Sequence, residues 1–483
     1  MTLAPCVRYD EIGCWLKILR NAGSYQAARL ITSAAQIGVQ AMAGGANDAA
    51  DDATALERAS AKVRRHLLPF LIVCYFGAYL DRVNVGFAAL TMNSDLGIGP
   101  EAFGFTAGIF FLGYCLFEVP SNILLEKFGA RRWIARIMIT WGFVSAAMAF
   151  VTDVNGLSIV RFLLGVAEAG FFPGIIYYLT YWVPAADRAR IVTMFMAAIP
   201  LSSLVGAPVS GVILDTFAGV AGLKGWQWLF ILEAIPSLVL GTAALWLLPD
   251  SPGDAHWLKE DEKRALERQV SMEMQARENI KTFTLAEALL NARVLALGVV
   301  YFGIATGMYG LSFWLPQIIK AFGLSNTQTG FVTAAPYVAA ALAMVLWGRH
   351  SDVTGERVWH IALPAFAGGL ALIAGTHVTG MIPALLLLTI AAAGIFTSLP
   401  LFWTLPTALL TGTAAAGGIA LINAIGNIGG FMGPYLVGWL KERDYSLAVA
   451  VSSLASFAIA AGLIVLALGH DKRLEQAAVK SPG

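Results

Sequence analysis

Asp81 and Arg82 are neighbours in sequence, and Arg161 and Glu168 stand seven residues apart; all four lie inside apolar stretches long enough to cross a bilayer. A charge in hydrocarbon costs at least about 2.5 kcal/mol, so such residues persist where they pair, face water or handle an ion. Two chemistries are open to them: a guanidinium can hold an anion, and a carboxyl can take up and release a proton. Arg82 suits the first, because its planar fork stays charged and matches a carboxylate bidentately. Its alternative role is a gating pair with Asp81 or Glu168, although a buried pair is a weak device for stability. Asp81 and Glu168 suit the second, since a carboxyl that exchanges an arginine neighbour for a dry surrounding changes its hold on a proton. Stabilising a helix pair is the rival role, more so for Asp81 than for Glu168.

The elements that must position these residues follow from composition. The chain has 483 residues, 58% of them hydrophobic and 13% charged, with Lys+Arg 32 against Asp+Glu 31. A soluble domain carries about 25% charged residues, so this composition specifies a polytopic membrane protein embedded in lipid. Apolar runs near the roughly 20 residues that a bilayer demands fall at about 67–90, 103–125, 133–152, 156–181, 189–213, 227–248, 294–319, 329–348, 359–377, 380–409, 413–439 and 445–468. The fold class expected is all-α, twelve transmembrane helices in two six-helix bundles. Barrel strands are excluded, because they are about ten residues long with alternating polarity. Lys and Arg gather in alternate loops: Arg64 and Arg65, then Lys127, Arg131 and Arg132, then Arg188 and Arg190, then Arg349 and Arg357. The positive-inside rule puts both termini in the cytoplasm, and a bacterial inner membrane is the location expected.

The domain reading is a cytoplasmic tail at 1–62, a first bundle at 63–249, a cytoplasmic linker at 250–293, a second bundle at 294–469 and a tail at 470–483. The first tail reads as disordered, or as an upstream extension with Met42 as the true start, and no secretory signal is evident in it. The linker, with KEDEKRALERQ, reads as a solvated helix.

A repeat with one offset joins the two bundles. Tyr75-Phe76-Gly77 recurs as Tyr301-Phe302-Gly303, a shift of 226, and the same shift carries Glu126, Gly129, Arg131 and Trp133 onto Asp352, Gly355, Arg357 and Trp359. Two homologous halves rocking about a midplane site is the architecture of a secondary transporter. The charges do not repeat: Asp81, Arg82, Arg161 and Glu168 map to Gly307, Met308, Leu387 and Gly394. The first half carries the charge chemistry and the second presents an uncharged wall. At 1.5 Å per residue, Asp81 and Glu168 differ in depth by about one helical turn, so they are expected to share one cavity, with Arg161 toward its outer mouth. On the uncharged side, Asn423 and Asn427 lie i, i+4 on one helix face, and Trp403 and Thr404 sit between Pro400 and Pro406. Amides and hydroxyls there suit a substrate's hydroxyls or second carboxylate, with interhelical glue as the alternative.

YLDRVNVGFAAL, EVPSNILLEKFGARRW, RFLLGVAEAGFFPG, GAPVSG and GWQWLFILEAIP together resemble the anion:cation symporters of the major facilitator superfamily, over about residues 62–470. Within that family the chain looks most like tartrate-type bacterial permeases, with phthalate and hydroxyphenylacetate permeases close behind. The resemblance implies proton-coupled uptake of an organic anion by alternating access, with the proton as coupling ion and no cofactor. It implies substrate contacts at Arg82, Tyr79, Tyr114, Asn423 and Trp403, and leaves Asn427 open between contact and glue. It also implies a gating loop of Glu126, Gly129, Arg131 and Arg132, with Glu126 facing Arg188 to latch an outward-open state. Glu118 is a candidate for the exit path, and Glu233 is assigned a structural role. A monomer is the expected state.

Other function classes find little support. The near-neutral charge argues against nucleic acid. Cys6, Cys14, Cys74 and Cys115 show neither metal spacing nor a disulfide pattern. The six histidines are scattered, and neither HExxH, CxxC nor a nucleophile elbow is present, so no metal site and no enzyme are expected. A drug exporter of the same fold is the rival: exporters of cations need acidic residues but gain nothing from a cavity arginine, and Gly206-Ala207-Pro208 stands where such exporters carry a Gly-Pro pair. The substrates that fit are a hydroxy-dicarboxylate such as tartrate, a sugar acid or an aromatic acid.

Overall fold

The computed structural model describes residues 52–184, 191, 194–278, 291–409 and 413–469. Among them are twelve helices long and apolar enough to cross a membrane. Spans one to six are Leu68–Leu96, Pro100–Phe128, Ala130–Phe150, Val154–Thr180, Met194–Thr216 and Gly225–Leu247. Spans seven to twelve are Ala292–Lys320, Asn326–Thr354, Val358–His377, Met381–Pro406, Gly418–Glu442 and Leu447–Leu468. Local sequence sets their ends. Asp153 accepts from Gly156 N–H to start span four, and Ser325 with Gln328 forms a reciprocal capping box at span eight. Each satisfies amides that a helix start leaves unpaired.

Packing repeats as the sequence offset requires. Span one lies on spans five and six, and span seven on eleven and twelve; three pairs with six, and nine with twelve. A methyl at Gly77 would meet Ser237 and Leu240 of span six, and one at Gly303 would meet Phe457 and Ala461 of span twelve. The halves meet along two seams that exchange under the same repeat, span two on eleven and span five on eight.

Two breaks bear on the site. Span four divides into Val154–Glu168 and Phe171–Thr180, with Gly170 at φ +84° between them. Glycine adopts that left-handed conformation without strain, and Ser121 of span two sits directly against Gly170. Span ten turns at Trp403, between Met381–Phe402 and Thr404–Leu409, where the Pro400–Pro406 interval placed its break.

The boundary expected at 62 is displaced. Residues 52–66 are helical and run through a turn at Leu67 into span one, and Ala55, Ala59 and Val63 are buried. Opposite lies the linker helix Glu260–Glu278, with Leu266 and Val270 also buried. Arg58 pairs with Asp261 at 2.8 Å and Lys62 with Glu262 at 2.7 Å. Small apolar residues at helical spacing inside an otherwise polar sequence explain the order at 52–62. The linker helix marks one face of the bundle, the linker face.

At the other face the halves are sealed. Gly104 and Gly108 of span two lie against the backbone of Pro434 and Phe431 of span eleven, and Gly86 of span one against Phe313 of span seven. On the other seam Gly211 meets Asn326, and Gly330 meets Ala207. Asp215 caps the seal, accepting from Asn326 Nδ2 and from both Thr327 N–H and Oγ1, each at 2.7 Å. Glu101 and Arg443 pair at 3.2 Å on the first seam.

Candidate functional site

Arg82 sits near the middle of span one, and its guanidinium reaches both halves. One nitrogen donates to Glu168 Oε1. The other donates to the Tyr309 hydroxyl of span seven at 3.1 Å. The rings of Tyr79, Phe110 and Tyr114 surround its charge at 5.2 to 5.5 Å from their centroids, a cation–π setting that favours arginine. Arg82 is 7% exposed and Glu168 0%. Arg82 Nε and Glu168 Oε2 have no hydrogen-bond partner among the described residues. The pair is thus desolvated yet unsaturated, with donor and acceptor capacity to spare.

A cavity of about 490 Å³ opens over this pair, lined by Arg82, Tyr75, Tyr114, Tyr301, Tyr309, Asn423 and Asn427 together with apolar side chains. Among its lining residues Arg82 alone carries a full charge. Toward the linker face, Asn423 Nδ2 donates to Glu118 at 2.6 Å and Asn427 Nδ2 at 3.3 Å. The two amides are therefore partnered across the seam between spans two and eleven.

Several expectations are corrected. Neither Asp81 nor Glu168 lines the cavity: Glu168 stands behind Arg82, to which it is bonded, and because adjacent residues on a helix point about 100° apart, Asp81 is turned into the first bundle. It accepts from Trp141 Nε1 at 3.0 Å, Ser145 Oγ at 2.9 Å and Ser237 Oγ at 2.5 Å, tying spans one, three and six. Arg161 is not at a cavity mouth. It is fully buried, donates to the Ala107 carbonyl at 3.0 Å and lies over Phe110 and Phe313. Ala107 and Phe110 of span two and Phe313 of span seven enclose it. Tyr79 lies behind Arg82 with its hydroxyl toward Met308 Sδ at 3.9 Å, and Trp403 packs edge-on to Tyr301 at 5.0 Å; neither lines the cavity. Asn423, Asn427 and Tyr114 do.

In the loop after span two, Gly129 holds φ +84°. That turn brings Arg131 back to Asp250 at the end of span six, by its backbone N–H at 3.2 Å and its guanidinium at 3.0 Å. Glu126 and Arg132 are exposed. Arg188, the expected partner of Glu126, lies outside the described residues.

Tyr309 was not anticipated. The signal for it was the repeat itself: position 309 follows Met308, the image of Arg82. Ser145, Trp141 and Ser237 were likewise missed, because nothing in sequence says which way Asp81 turns.

Comparison with known proteins decides the family. The model of the Major Facilitator Superfamily matches residues 71–434 and 297–478. The chain belongs to the Major Facilitator Superfamily. An Agrobacterium vitis protein named "Putative tartrate transporter" is 49% identical over 409 residues, covering 85% of this chain and 94% of its own. A quinolone resistance transporter of Acinetobacter baumannii is 40% identical, over 84% of this chain and 93% of its own. Among solved structures, the xylose transporter XylE of E. coli in a partially occluded inward-open conformation superposes with a TM-score of 0.65 at 16% identity, over 84% of this chain and 99% of that one. The superfamily fold is therefore established. Its relatives are transporters, not enzymes, and this chain is a multi-pass membrane transporter of small molecules.

Proposed function

We propose that the protein carries an organic anion into the cell together with protons, by alternating access, and that Arg82 binds the anion's carboxylate. The observation that carries this reading is the placement of Arg82: a buried guanidinium at the floor of the central cavity, shared between Glu168 of one half and Tyr309 of the other. An incoming carboxylate competes with Glu168 for that fork. Protonation of Glu168 removes the competitor, so proton and anion load together. Release of the proton lets Glu168 reclaim Arg82 and expels the anion.

The basic loops put the linker face in the cytoplasm, so the sealed face is external and the state described is closed to the outside. Both termini are then cytoplasmic, in a bacterial inner membrane, and the protein works as a monomer. Asn423, Asn427 and Tyr114 suit the distal hydroxyls or second carboxylate of a substrate such as tartrate, a sugar acid or an aromatic acid. Glu118 holds the two amides until that group arrives. Asp81 acts here as a structural anchor of spans one, three and six.

Export of a drug is the second reading, favoured by the resistance-associated relative. Quinolones also bear a carboxylate, so Arg82 would serve there as well. The test is uptake of labelled tartrate into proteoliposomes under an imposed inward proton gradient. Accumulation that collapses with the gradient supports the proposal. Failure with a full panel of organic acids, together with outward movement of a quinolone, supports export.

A further inference from the structure

A second cavity, of about 280 Å³, lies beside span one on the side nearer the sealed face. Its lining includes Asn84, Ser203, Ser210, Ser312 and Tyr337, and Arg82 is not among its walls. Next to it stands Glu233 of span six, 2% exposed, whose Oε1 accepts from Ser210 Oγ at 2.6 Å. Glu233 Oε2 has no hydrogen-bond partner among the described residues. Asn84 lies beside this carboxyl and is 1% exposed. Yet neither end of its amide reaches hydrogen-bonding geometry. The carboxyl oxygen left open beside the cavity calls for an occupant, because such a buried group costs about 1–3 kcal/mol if unmet.

Charge narrows the class of occupant. The ionisable group acting most directly on Glu233 is Asp81, of the same sign. Asp81 in turn feels Glu168 and receives only neutral donors, Trp141, Ser145 and Ser237. Tyr337 faces the cavity from span eight. A buried carboxylate without a counter-charge is not sustained: it binds a cation or a proton. Ser237, which donates to Asp81, is one turn from Glu233 on the same helix.

We propose that Glu233 is a cation-binding residue: the cavity bounded by Asn84 and Ser210 takes up a monovalent cation, a proton or a sodium ion, at Glu233 Oε2, apart from the anion's cavity. The hydroxyls and amide oxygen around it are hard ligands that suit either ion. This inference rests on the ion-coupled reading above and assigns a second place where the ion is held.

Two arms of one experiment separate the ions, both on full-length purified protein. Infrared difference spectra across pH follow protonated carboxyl groups, and melting temperature in sodium chloride against choline chloride of equal ionic strength follows sodium. The proposal expects either a titrating carboxyl signal that Glu233→Gln removes, or a sodium-dependent rise in melting temperature that Glu233→Gln abolishes. Asn84→Ala, which keeps the acid, displaces whichever signal is present. Anion binding by Glu233→Gln stays within about threefold of wild type, less than 1 kcal/mol, while ion-driven accumulation is lost. If neither signal depends on Glu233, or if Glu233→Gln accumulates substrate as wild type does, the proposal is overturned. Loss of anion binding with Glu233→Gln places that residue in the anion site and also overturns it. Should Glu233→Gln not fold, Asn84→Ala and Ser210→Ala carry the same readouts.

Discussion

Replacing Glu168 by Gln preserves the side chain's shape and removes the charge that holds Arg82. In the wild type an incoming carboxylate must displace Glu168 from the guanidinium. The bond given up is charge-assisted and contributes on the order of 1.5–3 kcal/mol, while the bond to Tyr309 at 3.1 Å remains. At about 1.4 kcal/mol per tenfold, Glu168→Gln should bind the anion roughly 10- to 150-fold more tightly at a pH where wild-type Glu168 is ionised. The gap closes as pH falls, because a protonated Glu168 no longer competes. Calorimetric binding to the purified protein over a pH series measures both effects. In vesicles the variant should exchange anion for anion and fail to concentrate it on a proton gradient. Weaker binding by the variant, or accumulation that still follows the gradient, refutes the competition and returns the coupling role to Asp81.

Asp81→Ala strands three donors, of which Trp141 Nε1 cannot turn into an acceptor; a loss of about 1–3 kcal/mol of stability is expected, with anion affinity unchanged and Asp81→Asn much milder, as thermal melts and binding would show. Gly330→Ala puts a methyl against the Ala207 carbonyl, so the seal opposite the linker face should fail and a cysteine placed at Tyr309 should become reachable by a membrane-impermeant thiol reagent from that side. For the linker clip, burial raises the Glu262 pKa, but the Lys62 ammonium and the Lys259 N–H outweigh it and hold the value below the usual glutamate range. A depressed folded value means that the clip's contribution is complete above about pH 4.3, the unfolded glutamate value, and is lost as pH falls through the folded one. Hydrogen exchange of residues 52–66, corrected for intrinsic rates, should therefore accelerate in that acidic window, and at neutral pH in Glu262→Gln.

The spans, the six-plus-six division and the repeat were legible because the bilayer imposes length and hydropathy directly on sequence. Arg82 and Glu168 were legible as buried charges that need partners, but the sequence grouped Arg82 with its neighbour Asp81 and Glu168 with Arg161, and offered Arg82–Glu168 only as one form of a gating pair. What sequence left undetermined was azimuth. A helix residue's depth follows from counting, but its direction depends on how the helix is rotated against its neighbours, so Asp81 was assigned to the wrong side of span one. Arg161 was expected at an open mouth and is instead fully buried, because the packing of spans two and seven around it is a tertiary event. Asn423 and Asn427 line the cavity as their spacing suggested, whereas Trp403 lies one layer behind, screened by Tyr301. Glu233 read as structural because its open oxygen and its empty-handed neighbour Asn84 exist only once five spans are assembled.

Direct binding of an organic anion to purified wild type, Arg82→Lys and Arg82→Ala tests the central claim, that Arg82 holds the substrate's carboxylate. Lys keeps the charge but loses the fork that engages Glu168 and Tyr309 together. Truncating one partner of a desolvated charge pair costs about 2–5 kcal/mol, so both variants should weaken binding by roughly 30-fold or more. If both bind within about threefold of the wild type, a change below 1 kcal/mol, the carboxylate is held elsewhere and the account fails.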